Sequence, residues 1–202
     1  MPLRQARVER TTAETNITAD ITLDGTGVSD IETPIPFLDH MLTILAKHAL
    51  LNLTLKASGD THVDDHHLIE DIGITLGEAF RKALGEKKGI RRFASSAVPL
   101  DEALAQIALD ISGRPYLLYQ VPLPQPRIKD LDLSLFEEFF RAFVVNAAIT
   151  LHVTVPYGRN SHHIMEAIFK GIAKAIEHAV SENQRIQCAA IKAIENGEGS
   201  DG

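Results

Sequence analysis

"DDHHLIED" at residues 64–71 and "NSHHIMEA" at residues 160–167 share the spacing H-H-x-x-E, ninety-six residues apart. Four of the chain's nine histidines stand in these two copies. A register that recurs once in each half of 202 residues predicts a duplicated unit. Each copy opens a segment of helical periodicity: "HHLIEDIGITLGEAFRKALG", stopped by Gly85, and "SHHIMEAIFKGIAKAIEHAV". Asp65 and Ser161 stand where an N-cap is wanted.

Working outward, each motif helix is preceded by a strand of period two, "LLNLTLKAS" in one half and "TLHVTVP" in the other. Before each strand lies another helix. "PFLDHMLTILAKHAL" spaces Phe37, Met41, Leu42, Leu45 and Ala49 helically, and "LSLFEEFFRAFVVNAAI" carries a wide stripe of Leu135, Phe136, Phe139, Phe140 and Phe143. Strands come first in both halves. In "ETNITADITLDGTGVSDIET", Ile17, Ala19, Ile21 and Leu23 share one face, and "DGTG" predicts a hairpin turn. "GIRRFASSAVPL", "EALAQIALDIS" and "RPYLLYQVPL" are three strands of the second half, followed by a polar loop, "PQPRIKD".

The predicted fold is α+β, an internal duplication of a strands-helix-strand-helix unit, with the helices of two similar halves packed between sheets. Residues 1–90 form the first repeat and residues 91–182 the second. The tail, residues 183–202, is polar and rich in glycine, and is expected to be partly disordered. A hydrophobic content of 45% supplies a core for either one domain or two small ones. The net charge of −7 argues against nonspecific nucleic-acid binding. One cysteine, Cys188, excludes an internal disulfide and fits a reducing compartment. With no apolar run long enough to span a bilayer and no secretion signal, the expectation is a cytoplasmic protein without a membrane partner.

Residues four apart on a helix lie on one face, and residues three apart nearly so. His66 can close with Glu70 on one ion, and so alternatively can His67. Adjacent histidines diverge by about 100° around the axis, so the two rings of a pair suit different ions. Two copies therefore suggest two metals, each held by imidazoles and a carboxylate. That donor set suits manganese, iron or zinc, and the lack of cysteine ligands argues against a structural zinc finger. A solvated or capping first turn is the plainer reading of one such motif, and its recurrence at equivalent places weakens it. His40 on the first helix and His152 in a strand are further candidates, while His62 and His178 read as surface residues.

These motifs, together with "RVERTTAETNI", "TPIPFLDHML", "RRFASSAVPLDEALA", "DISGRPYL" and "FFRAF", make the chain resemble the imidazoleglycerol-phosphate dehydratase family of histidine biosynthesis over about residues 7–175. The resemblance implies two Mn2+ ions per active site and self-association into trimers and then a 24-mer, with active sites at subunit contacts. It implies His40, His66, His67, Glu70, His152, His162, His163 and Glu166 as metal ligands, without dividing them between the ions. It places His48 near the substrate, and Arg92, Arg114 and Lys170 at its phosphate, where guanidinium groups bind in a bidentate way. The family's usual Ser-Thr-Lys-Gly type segment is missing from the tail, where "IQCAAIKAIENGEGSDG" offers only Lys192 as a charge.

The implied reaction takes water from imidazole glycerol phosphate to give imidazole acetol phosphate. The hydrogen to be removed sits on carbon with no adjacent carbonyl, so a simple carbanion is too unstable. A cation on the ring lowers the ring N–H pKa. The imidazolate can then expel hydroxide, and the family's base, here Glu14, takes the carbon-bound proton. Two other classes use a similar residue set. A dinuclear hydrolase of phosphate esters needs histidines, carboxylates and arginines, and a metal store uses carboxylates and histidines on long helices.

Overall fold

The structure, a computed structural model, describes residues 3–183. The first half runs β1 (Gln5–Thr11), β2 (Thr15–Thr22), β3 (Ser29–Glu32), α1 (Pro36–Ala49), β4 (Asn52–Gly59) and α2 (His66–Leu84). The second runs β5 (Phe93–Leu100), β6 (Ala103–Asp110), β7 (Tyr116–Gln120), β8 (Arg127–Ile128), β9 (Leu131–Asp132), α3 (Leu135–Ala147), β10 (Thr150–Tyr157) and α4 (Ser161–Val180). The sheets have the same topology, β1-β2-β4-β3 and β5-β6-β10-β7. In both, three strands are antiparallel and the last joins in parallel. The duplicated α+β fold is therefore as expected.

The four helices lie between the sheets and interlock the halves. Helix α2 covers β1 and β2 but packs on α3, whereas α4 covers β5 and β6 and packs on α1. The α3 stripe meets Phe169 of α4, with ring centroids of Phe136, Phe139 and Phe140 at 5.6, 6.1 and 5.1 Å from it. Helix α2 comes so close to α3 that a Cβ on Gly73 or Gly77 would stand 2.6 Å from the carbonyl oxygen of Phe139 or Phe143. Both motif helices thus start at the edge of one shared helical layer.

Two expectations are corrected. No hairpin forms across "DGTG": β2 pairs with β1 through a tight turn at residues 13–14, and β3 lies at the far edge beside β4. The cause is Asn52, whose side-chain oxygen accepts the N–H groups of Thr26 at 2.9 Å and Val28 at 3.2 Å, drawing that loop past β2 to the start of β4. Strand β1 gave little signal because only Val8 is fully buried along it. The loop "PQPRIKD" contains half of a small antiparallel ribbon, β8 with β9. Residues from 184 onward lie outside the described residues, and with them Cys188, Lys192 and all but the first residue of the tail expected to be disordered. No helix among the described residues is long and apolar enough to cross a membrane.

Candidate metal centre

Both motif helices are capped one residue earlier than Asp65 and Ser161. Asp64 accepts the His66 N–H, and Asn160 accepts the His162 N–H, each at 2.9 Å. Asp65 already has helical backbone angles, and the Ser161 hydroxyl instead accepts the Gln125 N–H. An Asx cap two residues ahead of the first histidine fixes the turn from which both rings project.

The two copies then reproduce each other. The rings of His66 and His67 are 6.2 Å apart at 84°, and those of His162 and His163 are 6.3 Å apart at 87°. The first ring of each pair faces its glutamate: His66 Nε2 is 3.8 Å from Glu70 and His162 Nε2 is 3.1 Å from Glu166. In each copy it is the spacing of four that brings ring and carboxylate face to face. The second ring turns to carboxylates of other elements. His67 Nδ1 lies 3.1 Å from Asp60 and 3.7 Å from Glu14, and His163 Nδ1 lies 2.8 Å from Glu102. Those hydrogen bonds, to Asp60 and Glu102 respectively, raise both imidazole pKa values above the ordinary 6.5. Glu102, which accepts from His163 and from the N–H groups of Arg159 and Asn160, is pushed down to about 2.

His40 comes to the second motif from α1, its Nε2 3.2 Å from Glu166. His40, His162 and Glu166 have ligand atoms within 4.8 Å of one another, and so do Glu14, Asp60 and His67. Imidazole with carboxylate is a donor set for borderline or hard divalent cations, so these residues fit a metal such as manganese. The other Glu166 oxygen takes Lys170 Nζ at 2.6 Å. Burial acts to raise the Glu166 pKa, but Lys170, His40 and His162 outweigh it and bring it to about 2. His48, further along α1, is lowered by burial and by the charges of Lys170, Lys174 and Lys47. A cleft of 630 Å³ opens beside these groups, with Phe37, His40, Asp65, Lys129 and His162 in its wall.

The remaining expected residues lie elsewhere. His152 is out of phase with the buried Leu151 and Val153, so it faces away from the helical layer. It lies on the outer face of the second sheet, 5.8 Å from the Tyr116 ring, in a cleft that also contains Asp110. Arg92 grips Asp110 through Nε at 2.7 Å and Nη2 at 3.2 Å, and Arg114 approaches the same carboxylate at 3.8 Å. One chain therefore presents two separate groups, imidazoles with carboxylates at the helix starts and arginines with His152 behind the second sheet.

The family model for imidazoleglycerol-phosphate dehydratase matches residues 33–176. The chain belongs to the imidazoleglycerol-phosphate dehydratase family. It is similar to the imidazoleglycerol-phosphate dehydratase of Granulibacter bethesdensis, 57% identical over 91% of this chain and 93% of that one. It is also similar to the enzyme of the same name in Gluconobacter oxydans, 54% identical over 90% and 92%. Among solved structures, that of the Staphylococcus aureus imidazoleglycerol-phosphate dehydratase aligns with a TM-score of 0.81 at 38% identity, covering 89% of this chain and 99% of that one. Family membership makes the chain a hydro-lyase and removes the basis for the hydrolase and metal-store readings.

Asp60 and Glu102 were not singled out in the sequence. Glu102 had a usable signal: it stands directly before β6 as Glu14 stands before β2, so repeat alignment pairs the two. Asp60 had none, because its partner His67 is chosen by tertiary packing.

Proposed function

We propose that this dehydratase converts imidazole glycerol phosphate to imidazole acetol phosphate with two Mn2+ ions per active site, working in the cytoplasm as trimers built into a 24-mer. The observation that carries the metal reading is the double occurrence of one geometry, an imidazole facing a carboxylate one turn on with a second imidazole turned aside. His40, His66, His67, Glu70, His152, His162, His163 and Glu166 would hold the ions. A bound divalent cation supplies a Lewis acid that lowers the ring N–H pKa of the substrate.

The protein's own groups do the rest. Asp60 and Glu102 accept from Nδ1 of His67 and His163, which orients the rings and leaves the Nε2 lone pair free for a cation. Among the described residues the Glu14 carboxylate makes no hydrogen bond, with His67 Nδ1 3.7 Å away and Asp60 beside it, so it is free to take the carbon-bound proton. Lys170, Arg92 and Arg114 neutralise the phosphate, and His48 lies within the same cationic stretch as Lys170. A second copy of the chain would complete the site by bringing its outer sheet face, with His152, Arg92 and Arg114, to the helix starts of the first.

The test is an assay of purified protein on imidazole glycerol phosphate, metal-free and after manganese addition. Turnover should appear only with the metal. Equal turnover by demonstrably metal-free protein rejects the metal-dependent reading.

A further inference from the structure

Glu14 and Glu102 occupy the same place in the two halves, each the second residue of a two-residue turn between its first two strands. Thr12 N bonds Thr15 O at 2.9 Å across the first turn, and Leu100 pairs with Ala103 across the second. Thr15 thus corresponds to Ala103, and Arg10 to Val98. The ninety-six residue offset of the motif helices makes Asp71 correspond to Ala167. A landmark fixes this equivalence independently. A Cβ on Gly59 would meet Leu68 at 3.2 Å and Thr15 at 3.3 Å, and one on Gly158 would meet Ile164 at 2.5 Å and Ala103 at 3.2 Å.

At these equivalent places the halves differ in kind. In the first, Arg10 Nε donates to Asp71 Oδ1 at 2.9 Å, and the Thr15 hydroxyl donates to Asp71 Oδ2 at 2.6 Å. Because the Thr15 hydrogen is committed to a carboxylate, its oxygen must accept from Thr12, 3.1 Å away. The Thr12 oxygen in turn accepts the backbone N–H groups of Glu14 at 3.1 Å and Thr15 at 3.0 Å. The chain of donors is polarised in one direction, from the turn that carries Glu14 to the helix that carries His66, His67 and Glu70. Asp71 and Thr15 are buried, at 7% and 4% exposure.

Arg10 keeps about a third of its side chain exposed, so its pairing with the buried Asp71 is a modest source of stability, and apolar replacement of a buried carboxylate and its partner is often neutral or better. The second half shows that this fold accepts the apolar solution, with Val98, Ala103 and Ala167 in the same places. We infer that Arg10, Thr15 and Asp71 form a positioning network, without counterpart at the equivalent places of the second half, that fixes the Glu14 turn against the motif helix. Glu102, in the half without it, is held instead by His163 and two backbone N–H groups. Glu14 must keep its carboxylate uncommitted, so it is placed through its backbone. The inference rests on the reading of Glu14 as the base.

The experiment transplants the second half's own residues into the first: Arg10→Val, Thr15→Ala and Asp71→Ala in one chain, measured as the manganese-loaded assembly beside Glu14→Gln. The expected result is an unchanged particle mass and manganese content, a KM like the wild type, and a kcat lower by roughly 100-fold, the scale of a 1 Å misplacement. Amide exchange in the turn that carries Glu14 should quicken, a readout independent of turnover. Wild-type kcat in the transplanted chain, with Glu14→Gln inactive, overturns the network while sparing the base. An active Glu14→Gln overturns the base reading and the inference with it. Should the transplanted chain not assemble, Thr15→Val against Thr15→Ser decides: the inference requires that only the variant lacking a hydroxyl loses kcat.

Discussion

His66 and His162 each face a glutamate one turn further along their helix, so removing either ring should strip one motif and leave the other. His66→Ala and His162→Ala are each expected to lower the manganese content below two per chain and to abolish dehydration, checked by elemental analysis alongside the assay. Arg114, 58% exposed and only 3.8 Å from Asp110, can be removed without leaving a buried charge alone. Arg114→Ala should weaken substrate binding by about 1.5–3 kcal/mol, the scale of a hydrogen bond to a charged group, read as a rise in KM at unchanged melting temperature. Arg92→Ala is a poorer probe, since it also strands Asp110. Helix periodicity made it legible that a ring of each pair meets its glutamate, but not which ring, since spacings of three and four both bring side chains together and the structure selects the first. The carboxylates behind His67 and His163 were not legible, because Asp60 and Glu102 reach them from other elements.

At the scale of elements, helix α2 owes its seat on α3 to two missing side chains. A methyl group on Gly77 meets the Phe143 carbonyl oxygen at 2.6 Å and the Asn146 Cβ at 2.9 Å, both on the facing helix. Backbone cannot rotate aside, so Gly77→Ala must push the helices apart. Overpacking of this kind costs about 1–3 kcal/mol, to be read from denaturant unfolding. A gain in stability, as expected of Gly→Ala on an isolated helix, would show that the helices can separate freely. The same contrast between local and tertiary control explains which elements could be read. The four helices and the inward residues of β2 follow from periodicity, and Ile17, Ala19 and Ile21 are all buried as their alternation requires. The false hairpin at "DGTG" was a sound local signal overruled by Asn52, twenty-six residues from Thr26. The side-chain caps stand one residue earlier than expected because Asp64 and Asp65 differ only in backbone angles, and because the Ser161 hydroxyl is taken by the Gln125 N–H, leaving Asn160 to cap.

For the whole molecule, protons and metal compete for the same imidazoles. His67 and His163 are raised above 6.5, chiefly by their bonds to Asp60 and Glu102. In metal-free protein these contacts stabilise the fold fully below pH 6.5, and the contribution is lost as pH rises through the raised values. The metal-loaded protein has the opposite sign, because each ring must be neutral to bind a cation. The difference in melting temperature between loaded and metal-free protein should therefore widen from pH 6 to pH 8. Glu102 and Glu166, held near 2, lose their contribution only in strong acid and do not enter this window. If neighbouring copies share the ions, the size of the particle follows the same titration. Chelator, or a drop to about pH 5, where free imidazole is protonated, should release manganese and break the assembly into small oligomers. Returning manganese near neutral pH should restore mass and activity together. Light scattering through that cycle decides the matter: a particle of constant mass whose metal is gone shows that the ions do not hold the copies together.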